Sequence, residues 1–273
     1  MNQKIVVITG AGAGIGKTTA EFFLNKGWLV VATMRNMEKS SDWLEAHPLI
    51  FPVYLDVCDF ESVDSAINVI VQKFGRIDAW VNNAGYGLIG AFESIEMSQI
   101  DRQLDTNLRG LIYCTSKIIP IMKKQKSGTI INLSSIAGKL TFPFFSLYHT
   151  TKFAVEGFSE TLSHELRRYN IKVRLIEPGP IKTDFYDRSR EIAHKEGIND
   201  YQNDLNKFIK VMDYLGNTAP GPELVAKVIY KAATNNSYKL RYPVGVQAKF
   251  LLFLHKIIPS SILGAMVRKV SLN

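Results

Sequence analysis

The 273-residue chain is poor in cysteine, in long apolar runs and, toward its end, in acid. Only Cys58 and Cys114 occur. A secreted disulfide scaffold needs more than two, so a reducing compartment is expected, with both thiols packed as small apolar groups. No stretch approaches the roughly 20 apolar residues of a membrane-spanning helix. The first residues run straight into a strand-like segment without a basic leader and apolar h-region. That predicts no secretory signal and a cytoplasmic location. From Lys239 to Asn273 there is no Asp or Glu, while Lys239, Arg241, Lys249, Lys256, Arg268 and Lys269 supply six charges toward the net +8. Basic charge alone would admit nucleic acid as a partner, but no recognition motif accompanies it and none is expected.

What is present is an alternation of short apolar runs with longer helical stretches. Residues 4–9, 28–34, 51–55, 77–81, 129–133 and 172–176 are rich in Val and Ile and apolar throughout. Strands buried on both faces look like this. Helices are predicted over about 15–26, 60–73, 98–125, 149–169 and 222–236, with Asp59 capping the second and a capping box from Ser98 to Asp101 opening the third. The alternation predicts an α/β fold, a doubly wound parallel sheet of about seven strands with helices on both faces. One domain spans residues 1–245, including a polar, irregular substrate loop over 184–216; a basic, apolar tail follows over 246–273.

After the first strand comes Thr9-Gly10-Ala11-Gly12-Ala13-Gly14-Ile15-Gly16. Bare backbone N–H groups at the head of a helix suit an anionic pyrophosphate, and glycine lets the backbone approach it. The same segment, Ala11 to Thr18, reads A-x-x-x-x-G-K-T, one residue from the phosphate loop of nucleotide triphosphatases. Against that rival, Ala11 stands where the pattern has Gly, and no later strand ends in an obvious magnesium-binding Asp unless Asp56 serves. Lys17 then reads as a solvated helix residue.

Tyr148 and Lys152 are four apart on a predicted helix, so they share a face. A phenol titrates near pH 10 and must fall by roughly 3 units to trade protons near neutrality. A desolvated ammonium beside it favours the phenolate. Adjacent helix positions diverge by about 100°, so His149 is expected to face away from the site.

Thr9-Gly10, Gly14-Ile15-Gly16, Asn82-Asn83-Ala84-Gly85, Asn107, Ser134-Ser135, Tyr148 with Lys152, and Pro178-Gly179 follow one another in an order and spacing that resembles the short-chain dehydrogenase/reductase family, over residues 4–245. The stretches around Tyr148–Gly157 and Ile176–Thr183 look like its branch of 17β-hydroxysteroid and retinol dehydrogenases and acyl-dihydroxyacetone-phosphate reductases. The resemblance implies Tyr148 as general acid/base and Lys152 as the group that lowers its pKa and binds the nicotinamide ribose. It implies Ser135 at the substrate oxygen, with Ser134 as the neighbouring candidate, and Asn107 holding a water in a proton relay. It also implies cofactor contacts at Asp56 and Val57, at Asn83, Ala84 and Gly85, and at Pro178, Gly179, Ile181 and Thr183. A homodimer or homotetramer is implied as well, paired through the helices carrying Asn107 and Tyr148. Thr150-Thr151 replaces the common Ala-Ser between Tyr and Lys.

An NAD enzyme commonly places a carboxylate at the end of the second strand. Here that position is Met34, followed by Arg35. A guanidinium pairs with a 2′-phosphate, so NADP(H) is the expected cofactor. The expected substrate is a lipophilic alcohol, ketone or aldehyde, with Phe142 to Phe145 as a wall of its site or as plain core. A non-catalytic NADP(H)-binding scaffold is the alternative on the same fold. The tail over 247–270 interleaves apolar residues with bases. It is expected to pack over its own substrate cleft or a neighbouring subunit; lying on an anionic membrane surface is the other reading.

Overall fold

The computed structural model describes residues 3–37, 47–183, 189–193, 195, 198 and 200–272. Seven strands make the central sheet: β1 (Ile5–Thr9), β2 (Leu29–Met34), β3 (Ile50–Tyr54), β4 (Ala79–Asn82), β6 (Gly128–Leu133), β7 (Ile171–Pro178) and β9 (Arg241–Val244). Their order is β3-β2-β1-β4-β6-β7-β9, with every neighbouring pair parallel. Two short strands, β5 (Gly87–Ile89) and β8 (Arg190–Ile192), pair outside it. The chain crosses from one half of the sheet to the other between β1 and β4. Open sheets of this kind bind ligands at the carboxyl ends of the strands beside that switch.

Successive strand residues point to opposite faces, and in β1 both faces are buried. Val6 and Ile8 enter a core with Phe23 and Ile229, supplied by helices α1 (Gly14–Leu24) and α7 (Glu223–Thr234). Ile5 and Val7 enter a second core with Val63, Ile118 and Leu162, from α2 (Phe60–Phe74), α4 (Gly110–Gln125) and α5 (Ser146–Leu166). Burying one such side chain contributes about 1.5–3 kcal/mol, which is why these strands are apolar throughout. Pro52 and Pro243 fall in β3 and β9, the two outer strands, where a missing N–H donor costs least.

The local signals mostly act as expected. Asp59 caps α2, its Oδ1 accepting from the N–H groups of Glu61 and Ser62 at 3.1 and 3.2 Å, and Gly75 ends that helix at φ 72°. The predicted helix over 98–125 differs in two ways. Its cap is Glu96 rather than Ser98, with Gln99 Oε1 accepting from the Glu96 N–H at 3.0 Å. It is also interrupted: α3 (Met97–Leu104) passes into a π-helical turn, Asp105–Arg109, before α4 begins.

The stretch 184–216, expected as an irregular substrate loop, is partly regular. Residues 184–188, 194, 196, 197 and 199 lie outside the described residues, and much of the rest is helix α6 (Gln202–Thr218). Its buried Leu205 and Phe208 pack with Ile209 and Met212, at the 3, 4 and 7 spacing of an amphipathic helix. The tail is helical too, as α8 (Val246–Ile257) and α9 (Ser260–Leu272). Cys114 is buried as expected, which pushes its thiol up to about 12. Cys58 is instead exposed, its Sγ 3.3 Å from Thr106 Oγ1. Among the described residues, no helix is long and apolar enough to cross a membrane.

Candidate active site

A cavity of about 1250 Å³ opens at the carboxyl ends of β1, β4 and β6. One end is the glycine segment. Gly14 holds φ at +51°, where a side chain is strained. A Cβ on Gly16 would collide with the Gly10 carbonyl and lie 2.6 Å from Asn83 Nδ2. Asn83 in turn donates to the Thr9 carbonyl at 2.8 Å, and the N–H groups of Asn83 and Ala84 reach Thr9 Oγ1 at 2.9 and 3.0 Å. The end of β4 thus fixes the loop after β1, and Asn83 does so mainly through its side chain. Arg35 follows the last residue of β2, exposed on the cavity wall, with no carboxylate among residues 34–37. Asp56 and Val57 line the same wall. Lys17 does not; it reaches across its helix to Glu21 at 3.9 Å. A glycine cradle at a helix head, with a guanidinium one strand away, fits a dinucleotide carrying a 2′-phosphate.

The other end holds the titratable groups. Tyr148 and Lys152, both on α5, border the cavity, and the Lys152 ammonium stands 5.6 Å from the centre of the Tyr148 ring. Lys152 is buried and donates to the Leu133 carbonyl at 2.7 Å. Burial pushes its pKa down to about 8, opposed by the carboxylate of Glu156 one turn further on. Ser135 lies two residues beyond β6, its Oγ accepting from the Ala137 N–H at 3.1 Å and donating to the Pro178 carbonyl at 3.4 Å. Ser134 also touches the cavity, but its Oγ is buried without a hydrogen-bond partner among the described residues. Pro178, Gly179, Ile181 and Thr183 close the side beyond β7.

Of the residues expected here, Asn107 alone does not line the cavity. It lies behind it, buried in the π-helical turn. Its Oδ1 accepts from the Tyr86 N–H at 3.0 Å and its Nδ2 donates to the Tyr86 carbonyl at 2.8 Å. A single inserted residue turns a helix in this way, often at functional sites.

His149 uses both ring nitrogens away from the reacting groups. Nε2 accepts from the Phe142 N–H at 2.7 Å, so Nδ1 carries the proton toward the Ala137 carbonyl at 2.8 Å. Burial pushes its pKa down. It ties α5 to the segment bearing the aromatics, while its ring still forms part of the wall.

That wall is apolar. Phe145 packs 5.4 Å from Tyr148 and 5.6 Å from Phe208, joined by Met212 on α6. Phe250 and Leu251 of α8 close the far side. The residues from α6 were not singled out from the sequence, whereas Phe250 and Leu251 belong to the tail that was expected over the substrate cleft. The spacing of Leu205, Phe208, Ile209 and Met212 is the signal that marks α6. Among the described residues, no group of His, Cys, Asp and Glu is arranged to hold a metal.

Residues 4–193 match the family model described as short chain dehydrogenase. The chain belongs to that family. As a member it is an oxidoreductase acting on small molecules. A 3-ketodihydrosphingosine reductase of Bacteroides thetaiotaomicron is 33% identical over 246 residues, covering 90% of this chain and 89% of the relative. A short-chain dehydrogenase of Streptomyces avermitilis superposes with a TM-score of 0.85 at 29% identity, over 98% of this chain and 96% of that one. The NADP-bound structure of ElxO gives 0.75 at 31% identity, over 89% and 97%.

Proposed function

We propose that the protein is an NADP(H)-dependent reductase or dehydrogenase of a lipophilic carbonyl or alcohol. The observation that carries this is the meeting of Tyr148, Lys152 and Ser135 with an aromatic wall at one end of a cavity whose other end is the glycine cradle. Arg35 supports the phosphorylated cofactor, as does the NADP held by the ElxO relative. Phe145, Phe208 and Met212 offer apolar surface, and the Bacteroides relative reduces a ketone on a sphingoid chain.

Pro178, Gly179, Ile181 and Thr183 would flank a nicotinamide, whose chemistry when bound would be to supply or accept the hydride. The chain's own residues do the rest. Ser135 Oγ donates to the substrate oxygen, fixing it beside the Tyr148 hydroxyl. Tyr148 gives its proton to that oxygen during reduction and takes it back during oxidation. The Lys152 ammonium favours the phenolate that remains and also holds the ribose. Asn107 keeps the Tyr86 backbone in place behind the site. The aromatic wall excludes bulk water, which strengthens each of these polar contacts. The same reading carries a homo-oligomer paired through α4 and α5, whose outer faces expose Ile112 and Phe153.

The test is turnover of NADPH with a panel of ketosteroids, retinal and medium-chain ketones, using wild type and Tyr148→Phe. Proton transfer of this kind contributes roughly 10²–10⁴-fold. The variant should lose at least two orders of magnitude in turnover and bind NADPH as wild type does. Equal turnover in both proteins would defeat the assignment, and NADPH binding without turnover of any substrate would favour a scaffold.

A further inference from the structure

The last two helices carry apolar surface that the proposed chemistry does not use. Helix α8 is apolar on two opposite sides. Ala248 and Leu252 are buried against Ile136 and Leu140. Facing away from them, Val246, Phe250, Phe253 and Ile257 are 84%, 59%, 59% and 60% exposed. At about 100° per residue these four fall within about 60° of arc, roughly opposite the packed side. Helix α9 adds exposed Ile262 and Met266. A surface helix normally turns a polar face outward, and a contiguous apolar patch marks an interaction site.

We propose that this stripe seats the protein on the surface of a bilayer containing anionic lipid. Exposed Lys249 and Lys256 run along one edge of it, Arg268 and Lys269 follow on α9, and no acid occurs from Lys239 to Asn273. Apolar residues flanked by bases on one helix face are the pattern of an interfacial helix, and an anionic leaflet supplies the opposite charge. A second copy of the chain fits less well. A two-fold contact lays the same patch on itself, so these bases would meet their own counterparts with no carboxylate from the segment between them, a repulsive arrangement. Phe250 belongs to the stripe and, with Gln247 and Leu251, to the cavity wall. The cavity therefore opens beside the docked face. Entry of substrate from the bilayer rests on the lipophilic-substrate reading; docking itself does not.

The experiment is flotation of the purified full chain with vesicles of phosphatidylcholine alone or mixed with phosphatidylglycerol, without substrate or cofactor. Binding to the anionic vesicles is expected, at least tenfold tighter than to the neutral ones and weakened by salt. Lys249→Gln with Lys256→Gln should weaken it about 30-fold. Phe253→Ser with Ile257→Ser should weaken it at least tenfold. Both double variants should keep the wild-type circular dichroism spectrum and melting temperature, which shows that they fold. Absence of vesicle binding, or equal binding by wild type and both variants, overturns the proposal. So does a fall to monomer mass in the Phe253→Ser, Ile257→Ser variant without vesicle binding by wild type, which makes the stripe a subunit contact. None of these results bears on the redox assignment, which turnover tests separately.

Discussion

The Asn107 side chain clasps both backbone polar groups of Tyr86, 21 residues earlier in the chain. Asn107 is buried and Tyr86 half-buried, and the Tyr86 carbonyl also accepts from Gln103 Nε2 at 3.0 Å. Asn107→Leu therefore leaves the Tyr86 N–H without its partner while the carbonyl keeps one, at about 1–3 kcal/mol for the lost donor contact. We expect a loss of about that size, read as a lower denaturant midpoint with unchanged slope. An unaltered midpoint would show that Tyr86 does not depend on the clasp.

Lys152 sets an alkaline limit. Its folded pKa of about 8 lies below its ordinary value because it is buried. As pH rises through about 8 the ammonium loses its proton, the phenolate loses its counter-charge, and the rate of carbonyl reduction should fall. The Glu156 carboxylate holds that pKa up, so Glu156→Gln should move the falling limb toward acid. A limb that stays put, or moves toward alkali, contradicts this. The linked stability effect has the opposite sense. Between about pH 8 and the ordinary lysine value the unfolded chain binds more protons at this group, so its contribution to stability rises with pH across that window.

Arg35 is positioned to choose between cofactors. The 2′-phosphate alone separates NADPH from NADH, and a charge-assisted hydrogen bond to it contributes roughly 1.5–3 kcal/mol, or about 10- to 150-fold. Arg35→Ala should raise the KM for NADPH by about that factor and leave NADH nearly unchanged. The quantity to measure is the ratio of kcat/KM for the two cofactors. A wild-type preference for NADH, or a ratio unmoved by the substitution, would show that the end of β2 does not read the phosphate.

Much of this was legible in the sequence because it depends on local chemistry. The apolar runs announced the parallel sheet, since a strand buried on both faces has no polar side. Gly14 and Gly16 announced the cradle, since a side chain would be strained at the first and would collide at the second. Tyr148 and Lys152 came together because four residues make about one helical turn. What was hidden depends on partners distant in sequence. The π-helical turn at Asn107 accompanies a hydrogen-bonded tie to Tyr86 that no propensity encodes. His149 was expected to face away on helix geometry alone, yet Phe142 and Ala137 draw its ring to the cavity wall. Helix α6 was masked by its polar residues, although Leu205, Phe208, Ile209 and Met212 carried its period.

The prolines of the outer strands bear on how copies of this protein can meet. Edge strands are templates on which another chain can add, and proline blunts them by removing a donor. With Pro52 on one margin and Pro243 on the other, the sheet is poorly suited to continue into a neighbour. Any contact between copies would then fall to helix faces, where side-chain shape and charge rather than generic backbone pairing decide the fit. A protein built this way can expose apolar helix surface for a purpose without also inviting its sheet to polymerise.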